Sequence, residues 1–107
     1  MEFTTHNDIN IDVTGTHLQG YIQADYEKLV KRFGQPLEGD YKTDWEWELQ
    51  FENGSIATIY NWKNGPNYCG ETGLHHDQIF EWHVGGFDQR ALEQVVYALL
   101  GEIKCFT

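Results

Sequence analysis

The chain has 107 residues and a formal net charge of −10, from 17 acidic and 7 basic side chains. This length is one domain, residues 1–107, and 40% hydrophobic with 15% aromatic residues argues against intrinsic disorder. The charge repels phosphate, which disfavours direct nucleic-acid binding and suits a basic protein partner.

Residues 1–8 are polar and read as a frayed tail. They lack a basic start and an apolar run, so no signal peptide is expected. Nor does any stretch approach the roughly 20 apolar residues of a membrane span. Cys69 and Cys105 fit no zinc or redox spacing, and free thiols in a reducing cytoplasm are expected. Ile9, Ile11 and Val13 alternate with polar residues and predict a short strand, with a connection through Gly15–Gly20 after it. Tyr26, Leu29, Val30 and Phe33 share one helical face. Asp25 stands at the start of that helix, and Gly34 with Pro36 ends it.

Thr43–Glu52 and Ser55–Lys63 carry the strongest signal. Asn53-Gly54 between them is the pair that a two-residue type I′ turn prefers. That loop sets Phe51 opposite Ile56, Leu49 opposite Thr58, Trp47 opposite Tyr60 and Trp45 opposite Trp62, all on one aromatic face. Asp44, Glu46, Glu48 and Gln50 then share the other face with Lys63, Asn61, Ile59 and Ala57. Residues 64–78 are rich in Gly, Asn and Pro and predict a loop. Phe80, Trp82 and Val84 predict a strand ended by Gly85-Gly86. Asp88 reads as the N-cap of a second helix, with Leu92, Val95, Val96 and Leu99 on its buried face and Gly101 at its end. The expected fold is α+β. Its order is β-α-β-β-β-α, in a four-stranded, mostly antiparallel sheet with two helices packed on one face.

Several residues bear on function. Glu38, Asp40, Asp44, Glu46, Glu48 and Glu52 fall within fifteen residues that hold one lysine, Lys42. A stiff strand presenting Asp44, Glu46 and Glu48 at every second position could mimic a phosphate backbone, and with Glu52 it forms the expected protein-binding surface. A second reading is a nucleotide pocket. Thr16, Gln19, Trp62, Lys63, His83, Gly85 and Gly86 would form it, with an anion at the Gly-Gly helix start. Arg90 is a further phosphate candidate, and Trp62 or Trp82 could stack on a base. A third is a small hydrolase using Cys69, His75 or His76. His75 and His76 are adjacent, near Glu71 and Asp77, and adjacent ligands are not expected to converge as two histidines one helical turn apart do. No metal, cofactor or catalytic residue is therefore expected.

The runs Gly15-Thr16-His17-Leu18-Gln19-Gly20-Tyr21, Phe33-Gly34-Gln35-Pro36, Asp44-Trp45-Glu46-Trp47, Ala57-Thr58-Ile59-Tyr60-Asn61-Trp62-Lys63 and Trp82-His83-Val84-Gly85-Gly86 resemble a family of small bacteriophage accessory proteins. That family carries no established activity. The resemblance implies a phage origin and action in the cytoplasm of an infected bacterium. Small acidic phage proteins of this class often block host defence, by covering a protein surface, mimicking DNA or sequestering a signalling nucleotide. The expected role is a non-enzymatic counter-defence or host-takeover inhibitor of a basic host protein, such as a nuclease effector or restriction component. The edges of a small sheet also leave room for a homo-oligomer.

Overall fold

A computed structural model describes residues 2–101 together with the backbone of 104 and 105. The fold is α+β. Its strands are β1 (Glu2–Thr5), β2 (His17–Gln23), β3 (Leu37–Glu38), β4 (Trp45–Phe51), β5 (Ile56–Tyr60), β6 (Glu81–Gly86) and β7 (Lys104–Cys105). The helices are α1 (Tyr26–Phe33), the single turn α2 (Pro66–Cys69) and α3 (Arg90–Leu99). The sheet runs β2-β6-β5-β4-β1-β7, with β3 also on β4. All pairs are antiparallel except β1 with β7. The sheet is thus wider than the four strands expected. No helix among the described residues is long and apolar enough to cross a membrane.

The amino-terminal segment supplies the first correction. Residues 2–5 are not frayed but form β1, whose Phe3 pairs with Phe51 and is 1% exposed. Its ring lies edge-on to Phe33 at 5.5 Å. Phe and Thr in alternation suit a half-buried strand, and a polar average over eight residues hides that pattern. The alternating residues 9–13 form no strand. Asp8 and Asp12 turn the chain here by accepting backbone N–H bonds from Thr5 and Thr14, both at 3.0 Å. The pairing falls instead to β2, within the stretch read as a connection, with a bulge between Leu18 and Gly20.

α1 follows its sequence closely. Asp25 accepts the Lys28 N–H at 2.7 Å, Leu29 and Phe33 are buried, and Gly34 ends the helix at φ 84°. The Trp47 indole N–H donates to the Gly34 carbonyl at 2.8 Å, tying the helix end to β4.

The hairpin register differs from expectation by one residue. The Phe51 N–H donates to the Ser55 carbonyl and the Gly54 N–H to the Phe51 carbonyl, both at 2.8 Å. Gly54 sits at φ 89°. This is a three-residue loop, Glu52-Asn53-Gly54, with glycine in the left-handed position, rather than a two-residue type I′ turn. Trp47 therefore faces Ile59, Leu49 faces Ala57 and Glu46 faces Tyr60. A slip of one turns every side chain of β5 over. Ala57 and Ile59 join Trp47, Leu49 and Phe51 in the core, while Ile56, Thr58 and Tyr60 share the other face with Glu46, Glu48 and Gln50.

Helices α1 and α3 cover the core face, where Leu29, Phe33, Trp47, Trp82, Val84 and Val95 form one cluster. α3 fully buries Ala91, Gln94, Val95 and Ala98, while the expected Leu92 and Leu99 pack only partly buried against the core and Val96 is exposed. Small residues explain this rotation. A β-carbon on Gly86 would lie 2.3 Å from that of Ala91, and one on Gly20 would lie 2.6 Å from Leu92 Cδ2. Glycines on the sheet let α3 approach through its alanines. The helix starts at Arg90 rather than after Asp88, whose carboxylate still accepts the Arg90 N–H at 2.9 Å. Phe80 lies outside β6 and is 60% exposed, with Ile79 buried in its stead.

Candidate functional site

The corrected register builds the site. On the sheet face opposite the helices, Tyr21, His83, Tyr60 and Glu46 form one cross-strand rung over β2, β6, β5 and β4. The next rung holds Leu18, Gly85, Thr58 and Glu48. The Tyr21 and Tyr60 rings lie 4.9 and 5.4 Å from that of His83. Trp62 follows the end of β5 and meets Tyr60 edge-on at 6.2 Å.

Two hollows share Tyr60 and Trp62. One, of about 310 Å³, is also lined by Val13, Thr16, His17, Asp40 and Glu46. Its floor includes Thr58 and Gly85. A β-carbon on Gly85 would stand 2.5 Å from Thr58 Oγ1, so glycine keeps this floor low. The other hollow, of about 380 Å³, is an aromatic shelf of Tyr21, Tyr60, Trp62 and His83 with Leu18. Tyr21 and Trp62 are 51% and 41% exposed. Adjoining exposed rings of this size mark a contact surface more often than stray apolar residues do.

The electrostatics set the acidic end apart. Partial burial pushes the Glu46 carboxyl up to about 7, helped by its hydrogen bond to Glu48 and by repulsion from Glu48 and Asp40. Burial also raises the Tyr60 phenol, with Glu46 and Tyr21 adding to it. Burial lowers the His83 imidazole, which favours the neutral ring. Lys42 and Lys63 stand at the rim, their ammonium nitrogens 5.5 and 5.6 Å from the Trp62 ring centroid.

The residues singled out from sequence divide sharply. Asp44 is not on the acidic surface. It is 8% exposed, accepting from Asn61 Nδ2 and from the Asn67 N–H, each at 2.9 Å. Asn61 Oδ1 in turn accepts the N–H groups of Asp44 and Trp45. Asp44 thus anchors the 64–78 loop. Glu52 lies in the hairpin loop, where it accepts the Glu2 N–H at 3.2 Å, remote from the cleft. Glu46 and Glu48 alone keep the expected row. Of the nucleotide set, Thr16, Trp62 and Gly85 line the first hollow and His83 the second. The Gln19 amide donates to the Gly86 carbonyl at 3.0 Å, and Gly86 itself packs on Ala91. Lys63 adopts φ 56° and also sits over Tyr68. Arg90 is paired with Asp88 at 2.9 Å, and Trp82 is fully buried.

Tyr60, Tyr21 and Thr58 were not singled out as site residues from sequence. Counting the hairpin loop as three residues places Tyr60 and Thr58 beside Glu46 and Glu48, so parity held the missing signal. In the 64–78 loop, the Cys69 thiol donates to the Lys63 carbonyl at 3.3 Å. That contact involves no imidazole, so it is not the thiol–base pairing of a nucleophile. The adjacent His75 and His76 do converge, contrary to expectation, and with Asp77 they offer three ligand atoms within 4.8 Å of one another.

Neither a protein-family model nor a characterised protein sequence matches the chain.

Proposed function

We propose that the protein is a non-enzymatic counter-defence or host-takeover inhibitor. It engages a basic host protein by receiving a lysine or arginine side chain between the Glu46–Asp40 wall and the Tyr60–Trp62 shelf. One observation carries this reading: Glu46 and Asp40 line a cleft, with Glu48 repelling Glu46 from beside it, and the neighbouring surface is exposed aromatic rings. A cation entering there relieves the mutual repulsion of the carboxylates and meets ring faces, and both effects strengthen as water leaves. The host setting comes from the phage resemblance.

The test compares capture of host proteins from infected-cell lysate by wild-type protein, by Glu46→Lys/Glu48→Lys, and by Glu27→Lys/Glu93→Lys. The last pair changes the net charge equally at exposed helical positions. The proposal expects the cleft variant alone to lose its partner; equal loss in both variants, or in neither, rejects it.

A second reading is sequestration of a small nucleotide, favoured by the position of Lys42 and Lys63 beside Trp62. A base on the shelf would leave its phosphate within reach of those ammonium groups. Calorimetry against a panel of cyclic nucleotides should give saturable heat that Trp62→Ala removes, and silence across the panel eliminates it.

A further inference from the structure

The geometry points to a second site, on the helical side of the sheet: His75, His76 and Asp77 together bind a divalent transition-metal ion of the zinc type. Three consecutive side chains usually fan apart. Here a tight turn and two aromatic neighbours gather them. His75 is extended at φ −73° and ψ 156°, and its N–H donates to the Gln78 side chain at 2.9 Å while its carbonyl accepts the Gln78 N–H. The chain then enters a 3₁₀ turn, His76–Gln78, which brings Asp77 back toward His75. Their Nδ1 and Oδ1 atoms are 3.0 Å apart.

His76 is held from behind. Its ring stacks on Tyr26 at 3.9 Å and 22°, and meets Trp45 edge-on at 5.4 Å. The His75 ring lies 4.1 Å from that of His76. The three candidate donor atoms lie within 4.8 Å of one another. A tetrahedral ion with bonds near 2.0–2.1 Å needs its ligands about 3.4 Å apart, so the set has to contract slightly to close on one.

A second observation supports a ligand. His76 Nδ1 is buried with no hydrogen-bond partner, and a buried ring nitrogen in that state calls for a water or an ion, or for a tautomer that leaves it bare. Two imidazoles and a carboxylate favour Zn²⁺, Ni²⁺ or Cu²⁺ over Mg²⁺ or Ca²⁺, which prefer oxygen. His75 and Asp77 are exposed, so the remaining positions are open to water or to a partner's ligand. Such an ion would clamp the 64–78 loop against α1 and the hairpin, through Tyr26 and Trp45.

The test is calorimetry of the tag-free full chain with ZnCl2 and, separately, MgCl2. One saturable Zn²⁺ site per chain is expected, with no heat from Mg²⁺. His75→Phe and His76→Phe should each weaken binding at least tenfold. Phenylalanine preserves the stack on Tyr26, so circular dichroism should show both variants folded. Cys69→Ser should bind as wild type does. Copper should quench Trp45, an effect that Trp45→Phe removes. Absence of saturable zinc binding, or unchanged affinity in the His75→Phe/His76→Phe double variant, overturns the proposal. So does loss of binding in Cys69→Ser, which would assign the metal to the thiol.

Discussion

Asp44 and Glu46 are two positions apart on one chain, yet their carboxylates live differently. Asp44 is enclosed by Asn61 and the Asn67 backbone. Replacing it by alanine strips two donors of their acceptor and should cost about 3 kcal/mol, visible as a lower midpoint in urea. Glu46 instead is partly buried among like charges. Its ordinary value of 4.5 rises to about 7 in the folded protein. Between those limits the native state binds more protons than the unfolded chain, so its contribution to stability falls as pH rises through that window. Glu46→Gln should therefore melt above wild type at pH 8 and close to it at pH 5. The same group must ionise before it can hold a cation. Partner affinity should therefore strengthen from pH 6 to pH 8 in wild type and much less so in Glu46→Gln, by titration at constant ionic strength. None of this could be read from sequence, because Asp44 and Glu46 occupy equivalent places in an alternating acidic strand. Asn61 and the Asn67 N–H, brought to Asp44 by the chain that follows β5, separate their fates.

At the level of elements, α1 was legible because cap, apolar stripe and terminating glycine all agreed. β4 and β5 were legible as a pair but not in register. Asn-Gly serves two loop lengths, and local propensity does not choose between them. The choice is made by burial: the three-residue loop puts Ala57 and Ile59 under α3 and lets Tyr60 face water. Gly54 is held at φ 89°, and a β-carbon there would meet nothing within 4 Å. Gly54→Ala should thus destabilise by about 1 kcal/mol through backbone strain alone, measured by thermal unfolding. Gly86→Ala should cost more, since its new methyl meets Ala91. β1 and β2 escaped notice for another reason. Their residues are polar on average, and they became strands through long-range pairing with β4 and β6.

For the whole molecule, the charge of −10 and the inward face of β4 were the parts most visible beforehand, while the face of β5 came out reversed. The acidic surface proved narrower than the sequence suggested, since Asp44 is buried and Glu52 lies in the hairpin loop. What remains is a compact negative wall beside an aromatic shelf. A net charge of this size opposes compaction, and salt screens it over about 8–10 Å. Adding about 0.5 M NaCl should raise the melting temperature of wild type, and less so that of Glu46→Lys/Glu48→Lys. The same salt should weaken capture of a basic partner.

Trp47 and Trp82 are both fully buried, their rings 5.4 Å apart at 81°. Indoles that close share their excited states, so the folded chain should display a split ellipticity band of opposite-signed lobes in the far ultraviolet. The band depends on β4 and β6 being held on either side of β5. Its decay therefore times the parting of the central strands without any label, and a variant that keeps its helices but loses the couplet has come apart at the middle of the sheet.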